Sequence, residues 1–418
     1  MTTFALVDCN SFYASVERIF RPDLKNKPVL VLSNNDACCV AKSRECRALG
    51  IKTGDPLFKI QHLVNAHKIT VFSSNYTLYA DISARVMHTL ESFSPRVEIY
   101  SIDECFMHLD GCKDLEQYAR KIRDTVLQYT GIPVSVGMAP TKTLAKLANH
   151  AAKKYPQTGG VVDLTNSSRQ KRLCELVPVK DVWGVGRRIG KRLENMGIRT
   201  ALQLAQMDLK VVRQKFSIVL ERTVRELNEE SCIELEETPA TRRQVICSRS
   251  FGSKMTEQGP MREAIAEFTT RGAEKLRKEK LRACVISVFI RTSPHANRPQ
   301  YSKTATGRLI QASSDSRDFL HLAGKLFEQI WKEGYHYAKA GIILTEICPE
   351  NQMQLSLLEP PKDSAASDRL MQTIDKINQT TNGKVQFGSQ REEQDWFMNR
   401  THLSPSYTTR WEDLPVAK

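Results

Sequence analysis

FALVDCNSFYASVERIF, residues 4–20, is an apolar run that ends on a carboxylate and passes at once into an amphipathic segment. Phe4 to Asp8 reads as a short buried strand, and FYASVERIF as the helix that follows it. Working outward, PVLVLS (28–33) reads as a second strand. The stretch 34–75 is different: polar, with turns marked by Asn34, Asn35, Gly50 and Gly54, it reads as a small insertion riding on a sheet. Beyond it come helix YADISARVMHTLESF, strands around VEIYSIDECFMHL (97–109), helix LEQYARKIRDTVLQY, strand PVSVGM and helix KTLAKLANHAAKK. That alternation predicts an α/β sheet layer with helices stacked on it.

The rest of the chain changes character twice. Residues 169–225 predict short helices with 14 Lys/Arg against 5 Asp/Glu, and ELNEESCIELEET (226–238), with six Glu and no base, predicts a solvated linker. Residues 242–310 hold 15 basic against 5 acidic residues on a strand–helix–strand–strand pattern; a further helix and the strand AGIILTEI complete a second small α/β unit. The tail from Pro349 shows one weak helix, RLMQTIDKI, and no convincing core. At 418 residues, three or four compact units are expected. The net charge of +14 favours a polyanionic partner such as nucleic acid. A membrane is a poor alternative, because MTTFALVDCN lacks a basic leader region and no segment approaches a spanning length; a cytoplasmic location is expected. Eleven cysteines without a CxxC pair indicate neither a disulfide framework nor a zinc site.

The chemistry gathers on acids in apolar strands. Asp8 ends one strand and Asp103 with Glu104 lies near the end of another, so one sheet edge could collect three carboxylates. Buried unpaired carboxylates are costly, whereas Mg²⁺ takes oxygen ligands and leaves positions open for phosphate oxygens. Neighbouring strand residues point to opposite faces, so Asp103 and Glu104 converge only if the backbone bends there, and one of them could be a surface acid. Ser11, Phe12 and Tyr13 open the helix after Asp8, where free backbone N–H groups suit a triphosphate. One of the two aromatics is expected to be ordinary core. In DVWGVGRRIGKRLENMG, Gly184 and Gly186 permit close approach to a phosphate, and Arg187, Arg188, Lys191 and Arg192 supply sequence-independent attraction; a helical hairpin is expected.

VDCNSFYASVE, YSIDE, GMAPTKTLAKLAN and VWGVGRRIGKRL together resemble the Y-family translesion DNA polymerases, and SNNDACCVAKS, FSSNYTLYAD, NHAAKK and CSRSFG are similar to the UmuC-type subunit of bacterial polymerase V and its plasmid-borne relatives. The resemblance implies a multidomain α/β and α+β right hand: palm over 1–33 and 76–168, fingers 34–75, helical thumb 169–230 with a helix-hairpin-helix, linker 231–241, little finger 242–348 and tail 349–418. It implies that Asp8, Asp103 and Glu104, with the Cys9 carbonyl, hold two Mg²⁺ ions. Tyr13 falls on the position that excludes a 2′-hydroxyl, and Arg47 and Lys153 on triphosphate contacts. Arg44 stands where many relatives have Tyr. Primer-template DNA and dNTPs are the implied substrates, and relatives act with a processed UmuD-type dimer and RecA. QLSLL (Gln354, Leu355, Leu357, Leu358) resembles the motif that docks on the bacterial sliding clamp. On the residues alone, a metal-dependent nuclease and an inert DNA-binding scaffold remain as other readings.

Overall fold

The computed structural model describes residues 2–238, 241–352, 364–380, 385–390 and 398–415. The chain divides into two compact units, one of residues 1–33, 37–239 and 401–418, the other of 34–36 and 240–400. No helix among the described residues is long and apolar enough to cross a membrane.

The first unit begins β1 (Phe4–Cys9), α1 (Phe12–Phe20), β2 (Val29–Leu32), β3 (Cys39–Lys42), α2 (Arg44–Ala48), α3 (Leu57–Ala66), β4 (Thr70–Ser73) and α4 (Tyr76–Glu91). It continues β5 (Val97–Ile99), β6 (Glu104–His108), α5 (Leu115–Thr130), β7 (Val134–Ala139), α6 (Lys142–Lys154) and β8 (Val161–Asp163). Five short helices follow, α7 (Ser167–Leu176), α8 (Arg187–Asn195), α9 (Ala201–Ala205), α10 (Leu209–Lys215) and α11 (Ile218–Leu227).

Its main sheet has the order β5-β6-β1-β7-β8, with β1 antiparallel to both neighbours. Side chains of β1 alternate between two cores: Ala5, Val7 and Cys9 pack with α1, α4 and α5, while Phe4 and Leu6 pack with α6 and the helices beyond it. Helix α6 lies unusually close to β7. A Cβ on Gly137 would come within 2.2 Å of the Asn149 nitrogen and 2.6 Å of the Ala145 oxygen, so only glycine lets the helix seat there. Asn149 then binds the sheet itself, donating to the carbonyls of Ser135 (2.7 Å) and Leu6 (3.2 Å).

The strand read at 28–33 does not join this sheet. β2 centres a separate three-stranded sheet, antiparallel to β3 and parallel to β4. Both its faces are apolar and buried, Val29 and Val31 toward the main core, Leu30 and Leu32 toward the core of α2 and α3, so hydrophobic pattern alone does not choose its partner. The acidic segment 226–238, which begins in the last turn of α11, is not solvated along its length either. Glu226 is fully buried; its carboxylate accepts from the backbone N–H and hydroxyl of Thr143 and from the N–H groups of Cys232 and Ile233.

The second unit is β9 (Gln244–Met255), α12 (Gln258–Lys278), β10 (Leu281–Thr292), β11 (Ser302–Ser313), α13 (Ser316–Ile330), β12 (Tyr337–Pro349) and α14 (Ser364–Thr380). Its antiparallel sheet, order β11-β10-β12-β9, carries α12 and α13 on one apolar face. The tail has more structure than its composition suggests. Helix α14 buries Met371, and two nearly buried arginines tie it down: Arg277 grips Asp375 through two 2.7 Å bonds, and Arg282 pairs with Asp368 at 2.7 Å. Residues 401–415 pack into the first unit instead, where Ser404 is 5% exposed.

Candidate active site

Asp8 and Glu104 are partners in the β1·β6 register, so both side chains leave the same sheet face, the one α6 covers. Asp103 escapes the alternation problem because β6 starts at Glu104. It sits in the preceding bend, where Ser101 Oγ donates to its carboxylate at 2.7 Å and the Cys9 N–H donates to its carbonyl at 2.8 Å.

Helix α6 supplies the counter-charge. Lys153, in its last turn, forms an ion pair with Asp8, and Lys146 forms one with Glu104 at 2.7 Å, its ammonium also lying 4.4 Å from the centre of the Tyr100 ring. Burial pushes the Asp8 carboxyl up to about 7 against the opposing pull of Lys153. Burial likewise drives the Cys9 thiol upward, and the charges of Asp8 and Asp103 add to that, so the thiol is inert. Among the described residues no group of three or more acidic, His or Cys side chains is placed to hold an ion, and the two facing acids are each paired with a lysine. The donor set still suits a hard cation: carboxylate oxygens, one of them costly to keep charged, beside ammonium groups on long stems.

Ser11 caps α1 in a left-handed conformation (φ 50°) without a side-chain bond to the first turn. Phe12 is the core aromatic, 4% exposed; Tyr13 is half-buried and stacks on Tyr79 with 4.3 Å between ring centres. Arg44 and Arg47 are exposed on α2, with no ion-pair partner among the described residues. Gly184 (φ 85°) and Gly186 precede α8, whose Arg187, Arg188, Lys191 and Arg192 are exposed; Arg192 also lies over the Phe216 ring at 4.5 Å and donates to the Lys215 carbonyl. Gln354, Leu355, Leu357 and Leu358 lie outside the described residues.

Sequence reasoning missed Lys146, Ser101, Glu17 and Tyr79. A signal existed for the first: Lys146 and Lys153 are seven residues apart, two turns, and so share a helix face. Nothing local marks the others.

Solved structures share the architecture. A Y-family DNA polymerase chimera of Dbh and Dpo4 superposes with a TM-score of 0.67, covering 83% of this chain and 99% of its own at 18% identity; an insertion ternary complex of Dbh DNA polymerase gives 0.55 over similar spans. The fold is therefore that of a Y-family DNA polymerase. Residues 7–150 match the impB/mucB/samB family and 242–357 its C-terminal domain, while 368–417 match a Domain of unknown function (DUF4113). Protein UmuC of Salmonella typhimurium is 50% identical over 98% of this chain and 99% of its own, and Protein ImpB of the same organism 48% over 99% of each. The chain belongs to the impB/mucB/samB family, the UmuC-type Y-family translesion polymerases, and is a DNA-directed DNA polymerase.

Proposed function

We propose that this chain extends a primer across damaged template, joining the α-phosphate of a dNTP to the primer 3′-hydroxyl at Asp8, Asp103 and Glu104. The observation that carries it is the facing pair Asp8–Glu104 with Asp103 at the adjoining bend, backed by the lysines of α6. These carboxylates and the Cys9 carbonyl would hold two Mg²⁺ ions, which when bound acidify the attacking hydroxyl and neutralise the triphosphate. Lys153, beside Asp8 at the end of α6, would serve the phosphate oxygens, together with the N–H groups at Ser11, Phe12 and Tyr13 where α1 begins. Arg44 and Arg47, exposed and without an ion pair among the described residues, supply charge from the fingers. Tyr13 excludes a 2′-hydroxyl. Rate comes from positioning and charge rather than covalent chemistry.

The main five-stranded sheet and its helices serve as palm, 34–75 as fingers, 169–230 as thumb and 242–348 as little finger, joined by 231–241. Fingers of about 40 residues give weak shape checking of the nascent pair, which suits lesion bypass and errors. Gly184, Gly186, Arg187, Arg188, Lys191 and Arg192 hold DNA phosphates without reading bases. QLSLL in the tail 349–418 docks on a sliding clamp, and the proposal extends to a processed UmuD-type dimer and RecA as further partners and to a cytoplasmic location. The test is primer extension with Asp103→Asn. A nuclease would shorten the primer and a scaffold would leave it unchanged, so a wild-type chain that does either, or an Asp103→Asn chain that extends normally, overturns the reading.

A further inference from the structure

Tyr13 is not held by its own contacts alone. Its ring rests on Tyr79, which is fully buried and donates its hydroxyl to Glu17 Oε1 at 2.6 Å. Glu17 lies one helical turn after Tyr13 on α1, is fully buried, and has no ion pair among the described residues. Burial pushes its carboxyl up to about 7, countered only by hydrogen bonds from Tyr79 and Ser404. An acid in such a place is expensive unless several donors converge on it.

The second donor comes from the far end of the chain. Ser404 Oγ donates to Glu17 Oε1 at 3.0 Å and accepts from Asn75 Nδ2 at 3.1 Å; Asn75 also donates to the Ser404 carbonyl at 3.1 Å and, with its side-chain oxygen, caps α4 one turn before Tyr79. The segment is clasped on both sides. Ser73 and His402 exchange two bonds, at 2.9 and 3.0 Å, and Tyr407 stacks on Phe20 at the end of α1 with 4.5 Å between ring centres. All of this lies inside the first unit, and the segment falls within the region that matches a family of unknown function.

We propose that residues 402–407 form a buttress for sugar selection, in which Ser404, acting through Glu17 and Tyr79, holds the Tyr13 ring at the height that excludes a 2′-hydroxyl. Ser404 is a positioning residue: it touches neither substrate nor metal. The proposal rests on the reading of Tyr13 as the sugar-excluding ring. It assigns to this C-terminal segment an intramolecular part in choosing deoxynucleotides over ribonucleotides.

The experiment is a double-mutant cycle in the full chain, read as the ratio of kcat/KM for a dNTP to that for the matching rNTP. Global destabilisation lowers both terms and leaves the ratio alone. Ser404→Ala is expected to reduce the ratio roughly threefold to tenfold, the scale of one neutral hydrogen bond, through easier rNTP binding. Ser404→Thr, which keeps the hydroxyl, is expected to restore it. In a Tyr13→Ala background Ser404→Ala should change nothing further. An unchanged ratio in Ser404→Ala overturns the proposal, as does an equal loss whether or not Tyr13 is present. If Ser404→Ala does not fold, Tyr79→Phe, which keeps the ring and removes only the hydroxyl, tests the same relay with the same expected direction. A Tyr13→Ala chain with full discrimination would fell the reading of Tyr13 itself, an outcome distinct from failure of the buttress.

Discussion

Helices α6 and α8 are both rich in lysine and arginine, and they spend that charge in opposite ways. On α6, Lys142 is 2% exposed and paired with Glu98, and Lys146 and Lys153 close on Glu104 and Asp8. On α8, Arg187, Arg188 and Lys191 face solvent with no ion pair among the described residues. Composition treats the two alike. What separates them is whether the fold brings acids opposite: α6 crosses the sheet face on which Asp8 and Glu104 emerge, and α8 meets no such face. Charge on α6 is therefore internal compensation for costly carboxylates, and charge on α8 is available for a partner.

The sharpest way to break this contrast is at the acids. Asp8→Asn, Asp103→Asn or Glu104→Ala is expected to lower primer extension about a thousandfold or more, while affinity for primer-template DNA, measured by fluorescence anisotropy, stays within severalfold. Loss of binding alongside activity would mean that the α6 region also grips DNA. Next in size is Lys142→Met. It strands Glu98 in a buried site and removes the bond to the Glu234 carbonyl, so urea denaturation should show about 3–5 kcal/mol of lost stability. A loss below about 1 kcal/mol would put Lys142 in the same class as the exposed residues of α8.

Glu17 tests the cost of a buried acid that has no lysine at all. Its carboxyl rises from an ordinary 4.5 to about 7 on folding, so the folded state holds the proton more tightly than the unfolded state does. That contribution to stability is complete below pH 4.5 and is lost as the pH climbs through 7, by at most about 3 kcal/mol. Glu17→Gln should flatten the decline of Tm between about pH 5 and 8; the other buried carboxyl pushed up to about 7, Asp8, is common to both proteins and cancels in the difference. Identical slopes would show that Glu17 stays charged. The smallest effect belongs to α8. Neutralising Arg187, Arg188 and Lys191 should weaken DNA binding about tenfold to a hundredfold for every sequence and flatten its salt dependence by up to ~0.9 log unit for each DNA phosphate left without its cation, with Tm unchanged. Adding Arg192 should cost some stability, because that guanidinium lies over Phe216.

Much of this molecule is legible in its sequence because the relevant physics is local. Apolar runs of strand length, helical periodicity and a carboxylate at the end of FALVD lead to a sheet layered with helices and to Asp8, and the ordered motifs lead to Asp103, Glu104 and the family. Phe12 and Tyr13 are legible as a pair but not as individuals, since which ring goes inward depends on the helix's rotation against its neighbours. Lys146 shows itself only through spacing.

The remainder required the tertiary structure, and in each case the cause is a long-range pairing between groups that are ambiguous on their own. β2 is apolar on both faces, so only its pairing with β3 and β4 places it. A serine near the end of the chain and a glutamate in the first helix, 387 residues apart, become one hydrogen-bonded pair. Sequence by itself determined which segments are strands and helices, and where acids interrupt apolar runs, because those follow from local propensity and periodicity. Tertiary structure alone decided which charges are neutralised and which remain free, because the cost of a charge depends on burial and on the partner opposite it, and neither is a property of the local chain.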